Sequence, residues 1–147
     1  MATWLGVRCW KDRIALVAVD EDTRGPQCVL RRRTKVPTGL DEGRRADWFH
    51  KITTEAIEEC HPVGVAVRIS DAGDDRVRSE NDGAVLVAAA HANLPSITLG
   101  WQKMRAPLGV SKEAGAWKAF PKTDPFISGL IGDERDVAMA ALASVRR

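Results

Sequence analysis

Apolar and polar positions along the chain fall into two periods. Trp4 to Cys9 is a short apolar run, Ile14 to Val19 a second, and Cys28 to Val36 a third. Runs of this length bounded by turn residues read as strands. The breaks between them, Trp10-Lys11-Asp12-Arg13 and a stretch holding Asp20, Asp22, Gly25 and Pro26, are short and polar, so the three predict an antiparallel meander ended by Pro37. The period then changes. Trp48, Phe49, Ile52, Ala56, Ile57 and Cys60 fall at helical spacing, with Lys51, Glu55, Glu58 and Glu59 opposite. This predicts an amphipathic helix that Pro62 ends.

Val63 to Val67 is apolar throughout, as a strand covered on both faces is. A polar loop is expected from Ser70 to about Glu80, with Asp74-Asp75 turning the chain. Ala84 to Ala92 predicts a helix buried against the sheet and closed by Pro95, and Ile97 to Leu99 predicts a fifth strand. Ser111 is placed to cap a helix reaching about Phe120 and stopped by Pro121. The last helix is expected from Asp133 to about Arg146. A meander followed by crossover units predicts an α/β fold over residues 1–147. It is a mixed five-stranded sheet, three antiparallel strands plus two parallel ones, flanked by helices.

Composition narrows the class. The 147 residues are 44% hydrophobic and 29% charged, which suits one soluble globular domain and excludes a disordered chain. No apolar stretch approaches a membrane span, and no basic segment with an apolar core opens the chain, so a cytoplasmic protein is expected. Cys9, Cys28 and Cys60 are too few and too scattered for a disulfide framework, and reduced, mostly buried thiols are expected. His50, His61 and His91 are far apart in sequence without metal-ligand spacing. No internal repeat, phosphate loop or Ser-His-Asp arrangement is visible.

The element order resembles the RNase H-like fold, and finer features resemble the RuvC-type Holliday junction resolvases. The last helix, Asp133-Glu134-Arg135-Asp136-Val137-Ala138-Met139-Ala140, is similar to that family's Asp-x-x-Asp-Ala-x-Ala pattern. Ala84 to Ala90 followed by Leu94-Pro95 resembles its buried helix and exit, and Leu5-Gly6-Val7-Arg8 its first-strand motif, which there ends in aspartate. The resemblance implies two-metal phosphodiester hydrolysis, in which carboxylates hold two Mg²⁺ ions roughly 4 Å apart. Asp133 and Asp136 match the helix pair, at a spacing that puts both on one face. Read from the helix alone, the same residues are an N-cap and a first-turn acid.

The other two positions depart from the pattern. Arg8 stands where the first aspartate is expected and Arg68 where the glutamate is expected. An arginine stays charged at any relevant pH and repels a divalent cation. The pair is instead suited to bidentate bonds with Asp133 and Asp136. This predicts a catalytically degenerate domain with no metal or other cofactor, an ion-pair cluster standing in place of the metal cluster. Asp12 and Asp71 are the acids that a shifted register would use to restore an Mg²⁺-dependent nuclease; Asp74 and Asp75 also follow the fourth strand.

Two further features bear on a ligand. Arg31, Arg32, Arg33 and Lys35 form a basic run whose alternate members point to opposite faces of a strand. It reads either as a charge-protected edge or, through Arg31 and Arg33, as a phosphate contact. Lys103, Arg105 and Lys112, with Gln102 and Lys118, form a basic stretch in the region where the resolvase family binds DNA. Among five tryptophans, Trp48 and Trp117 fall on apolar helical faces and are expected in the core. Trp10 and Trp101 border polar segments and are suited to stacking on bases or a partner. The expected ligand is nucleic acid, branched DNA in particular. A protein partner or a second copy of the chain is the alternative, making the domain an interaction module without a nucleic-acid role, and no membrane role is expected.

Overall fold

A computed structural model describes residues 2–70 and 76–147 of the chain. The elements run β1 (Trp4–Cys9), β2 (Arg13–Asp22), β3 (Gly25–Lys35), α1 (Glu42–Cys60), β4 (Gly64–Arg68), α2 (Arg76–His91), β5 (Ser96–Leu99), α3 (Trp101–Arg105), α4 (Ala116–Thr123), α5 (Pro125–Ser128) and α6 (Gly132–Val145). The five strands form one sheet in the order β3-β2-β1-β4-β5. β1, β2 and β3 pair antiparallel, while β4 runs parallel to both β1 and β5. Sheet and helices are therefore arranged as the pattern implies, a mixed RNase H-like α/β sheet covered on both faces. No helix among the described residues is long and apolar enough to cross a membrane.

Alternation along the strands divides the core in two. Leu5, Val7 and Cys9 of β1, Ile14 and Leu16 of β2 and Val65 and Val67 of β4 pack toward α1 and α2 around Phe49. Ala15, Val17, Val19, Ala66 and Leu99 face the other way, toward α6 and the α3–α5 segment. Each large apolar side chain buried in this way contributes about 1.5–3 kcal/mol. By the same alternation Gly6 and Arg8 of β1, Arg13 of β2 and Arg68 of β4 lie on the α6 face.

Gly6 sets how close α6 comes. A Cβ there would lie 2.4 Å from the carbonyl oxygen of Val137 and 3.2 Å from the Ala141 side chain. The missing side chain lets the alanine-rich face of α6 rest directly on β1, two residues from Arg8 on the same face.

Several boundaries differ from the sequence reading, each for a physical reason. α1 begins at Glu42, before its first tryptophan, because Asp41 accepts a hydrogen bond from the Arg44 amide and caps it. α2 begins at Arg76, within the stretch expected as a loop, and its first turns bury polar rather than apolar residues, Arg78, Asn81 and Asp82. The basic stretch after β5 is helical over Trp101–Arg105, a single turn anchored by buried Met104. α4 starts at Ala116, five residues after Ser111, whose hydroxyl instead closes a turn with the Glu113 amide. Pro121 lies inside α4, where it removes one helical hydrogen bond near the end of a two-turn helix without stopping it. The N-cap of α6 is Ile131, so Asp133 is a first-turn acid and not the cap, and Asp136 lies beyond the first turn.

Candidate functional site: an arginine–carboxylate cluster at the sheet edge

Arg8 is the last α6-facing position of β1, and Arg68 ends β4. The two strands are parallel and paired through Val7 and Val67, so the guanidinium groups emerge side by side at the carboxyl edge of the sheet. α6 crosses above them. Arg8 donates to Asp136 Oδ2, and Arg68 Nε donates to Asp136 Oδ1 at 3.0 Å. One carboxylate thus bridges two strands. Arg68 is only 4% exposed and Asp136 23%, so both charges sit in a medium where an unpaired one is costly.

The expectation that Arg8 and Arg68 engage the acids of the last helix holds for Asp136. It does not hold for Asp133, whose partner is Arg13 at the start of β2 (Nε to Oδ2, 3.1 Å). Arg13 also lies 3.5 Å from Asp12, which is itself largely exposed. The Trp10 ring lies beneath both guanidiniums, 4.9 Å from Arg8 and 4.3 Å from Arg13. These cation–π contacts fix the turn between β1 and β2. That turn is anchored from the other side by Asn81, which donates to the Trp10 carbonyl at 2.9 Å. Arg78 of α2 donates to the Arg68 carbonyl at 3.2 Å. Its pKa is lowered, first by burial and then by the nearby positive charge of Arg8. The side of the cluster toward α2 is closed by Cys9, whose thiol is pushed well up by burial and by the adjacent Asp82 carboxylate.

Magnesium is a hard ion that needs several oxygen ligands. Here the carboxylate nearest to both strand ends has each of its oxygens engaged by a guanidinium, and two fixed positive charges occupy the strand positions. Among the described residues no group of three or more His, Cys, Asp or Glu side chains is placed to hold a metal ion. The described residues at these strand ends do not fit a two-metal site. Asp71, Asp74 and Asp75 lie outside the described residues, as does the turn expected at Asp74-Asp75.

The remaining candidate residues fall into two groups. Arg31 of the edge strand β3 forms a two-bond pair with Glu134 of α6 (2.7 and 2.9 Å). The hydrogen bonds from Arg31 hold the Glu134 carboxyl below its ordinary value, against the opposing effect of burial. Arg32 points to the other face and pairs with Glu59 of α1. Arg33 is exposed and lines a groove of about 310 Å³ with Arg13, Lys35 and Asp133. The alternation expected of the run is therefore present, with two of its arginines spent on helix docking.

Arg105 and Lys112, by contrast, line a larger concavity of about 640 Å³, together with Trp101, Trp117 and Lys118. Lys103 is exposed on α3 beside it. Trp117, expected in the core, is half-buried; it packs against the α6-side core and also lines this concavity. Trp48 is half-buried against the opposite core, edge-on to Phe49 at 5.0 Å. Cys9, Cys28 and Cys60 are free thiols, the first buried and the others half-buried. His50 and His91, distant in sequence, meet between α1 and α2 with ring nitrogens 3.1 Å apart.

Sequence reasoning missed Arg13 and Arg78 as members of the cluster. Arg13 carried a signal: it lies two positions before Ala15, on the same face of β2. Arg78 carried none, because its stretch was expected as a loop.

Solved structures place this architecture. Over 99% of its length the chain superposes on 94% of Thermus thermophilus RuvC in complex with a Holliday junction substrate, with a TM-score of 0.74 and 19% identity. A second structure of Thermus thermophilus RuvC gives 0.76 and 20% over 98% of this chain and 93% of the other. The yeast mitochondrial Holliday junction resolvase gives 0.66 and 10% over 99% and 78%. No family model matches the sequence, and no curated protein is similar to it in sequence. The chain has the RNase H-like fold of the RuvC type.

Proposed function

We propose that this domain binds branched DNA without cutting it. The fold shared with a resolvase solved on a Holliday junction supports the ligand class. The observation that carries the loss of cleavage is the double engagement of Asp136 by Arg8 and Arg68. Hydrolysis in this architecture depends on cations held by carboxylates at the strand ends, and here those ends deliver guanidiniums that never deprotonate. The cluster keeps α6 seated on β1 and β4, a structural role that the metal ligands' positions have taken over.

Binding is carried by cations that have no carboxylate partner among the described residues. Lys103, Arg105, Lys112 and Lys118 form no ion pair among the described residues, and Arg33 forms none on the other side of the cluster. Phosphate contacts by such residues give an affinity that falls steeply with salt, by about 0.9 in log–log slope for each neutralised phosphate. Arg31 belongs to the Glu134 pair and serves the docking of α6 onto the edge strand.

The test is a four-way DNA junction incubated with the protein in Mg²⁺ or Mn²⁺ and, separately, in chelator, each sample run on native and denaturing gels. The expected result is a shifted, uncut junction under both conditions. Metal-dependent cleavage that disappears in Asp133→Asn/Asp136→Asn overturns the proposal and makes the domain a nuclease. A junction neither shifted nor cut moves the function to a protein partner or a second copy of the chain.

A further inference from the structure

The concavity between α3 and α4 is lined by two tryptophans. The Trp101 and Trp117 rings are 5.9 Å apart and inclined by 41°. They are in contact with each other and both half-buried, so they turn their remaining surface to the concavity and leave no slot between them. Trp117 is seated on the α6-side core, and Trp101 rests against Trp117. At the rim, Arg105, Lys112 and Lys118 face a single carboxylate, Glu113. The volume of about 640 Å³ falls in the range of small-ligand sites.

The place of this concavity in the fold is the second observation. Trp117 and Lys118 also line a neighbouring groove of about 320 Å³, which continues past Lys122 and Arg135 to Asp136. A cationic track therefore runs from the arginine–carboxylate cluster to the tryptophan pair. A backbone passing the cluster along it would bring a base to the indoles.

We infer that this concavity holds an unpaired nucleotide of a DNA strand, its base on the Trp101–Trp117 surface and its phosphates on Lys112 and Lys118. A base within a duplex has both faces covered by its neighbours and cannot use an aromatic floor. An unpaired base can, without regard to sequence, because every base has a π-face. The site would let the domain prefer the open strands of a branched substrate over continuous duplex. The inference rests on the DNA-binding reading and names the part of the substrate that this surface takes.

The experiment compares affinity for a short thymidine oligonucleotide with affinity for a blunt duplex, in the full chain and in Trp101→Ala, Trp101→Phe and Lys118→Glu. Trp101→Ala is expected to weaken the oligonucleotide complex about tenfold and to change the duplex complex by less than about twofold. Trp101→Phe, which keeps an aromatic face, is expected to retain most of the oligonucleotide affinity. Lys118→Glu, a change at an exposed position that leaves folding intact, is expected to weaken oligonucleotide binding and flatten its salt dependence. Equal loss on both ligands in Trp101→Ala, loss on neither, or an unchanged salt slope in Lys118→Glu overturns the inference. If the native protein shifts a four-way junction while these variants match it on the oligonucleotide, only this inference falls. If the native protein binds neither the junction nor the oligonucleotide, the DNA-binding reading falls with it.

Discussion

Two basic regions lie on the α6 side of the sheet, and they spend their charge differently. At the strand ends, Arg8, Arg68 and Arg13 are matched by Asp136 and Asp133, with Trp10 stacked beneath two of them. In the α3–α4 segment, Arg105, Lys112 and Lys118 line a concavity with two indoles, and no acid among the described residues lies in ion-pair range of them. The first region is closed on itself and holds the fold together. The second has no ion pair among the described residues. Whether a basic cluster is structural or functional is thus decided by what its charges already touch, which a count of arginines and lysines does not reveal.

The largest effect on the closed region is expected at Gly6. A side chain there meets the Val137 carbonyl and lifts α6, carrying Asp136 away from both arginines. Gly6→Val is expected to cost more than about 3 kcal/mol in urea denaturation. Asp136→Ala tests the closed region by itself. It leaves Arg68 buried and two guanidiniums side by side without their shared carboxylate, and about 3 kcal/mol of stability should be lost. Affinity for the thymidine oligonucleotide, extrapolated to the folded fraction, should stay close to that of the native chain.

Arg31→Ala is expected to cost about 2 kcal/mol, because Glu134, only 5% exposed, loses both of its hydrogen bonds. It also has a pH signature. The folded Glu134 carboxyl lies below its ordinary value of 4.5, so its contribution to stability is fully present above the unfolded value. That contribution is lost as pH falls through the lowered folded one. Urea midpoints measured from neutral to acid pH should therefore drop less steeply in Arg31→Ala than in the native chain. The smallest effect is expected at Asp133. Its pair with Arg13 is more than a third exposed on the arginine side, and Asp133→Ala should cost less than about 1 kcal/mol by the same denaturation measurement.

Much of the fold was legible because its central strands β1, β2 and β4 are largely apolar on both faces. β1, β2, β4 and β5 stand out as short runs between turns, and α6 as an alanine-rich stripe. The elements that escaped are those whose buried positions are polar or few. The first turns of α2 bury Arg78, Asn81 and Asp82, and α3 buries only Met104; neither leaves a hydrophobic period to read. At the site, strand alternation and the resemblance to the resolvases located Arg8, Arg68, Asp133 and Asp136 together. The choice of partners was not legible. Asp133 turns to Arg13 because that residue begins β2 on the α6 face, a matter of where α6 lands across the sheet. The tryptophan pair was half legible: Trp101 read as a ring available for stacking, while the periodicity around Trp117 pointed to the core. Likewise His50 and His91 meet only because α1 docks on α2.

With both Asp136 oxygens held by Arg8 and Arg68, the strand ends offer no open carboxylate oxygen of Asp136 to a divalent metal. A calorimetric titration of the native chain with Mn²⁺, repeated on Asp136→Asn, tests it most directly. No saturable binding is expected through the millimolar range in either protein. Saturable binding in the native chain that Asp136→Asn abolishes would contradict it, because Asp136 would then be a metal ligand in spite of its two arginines.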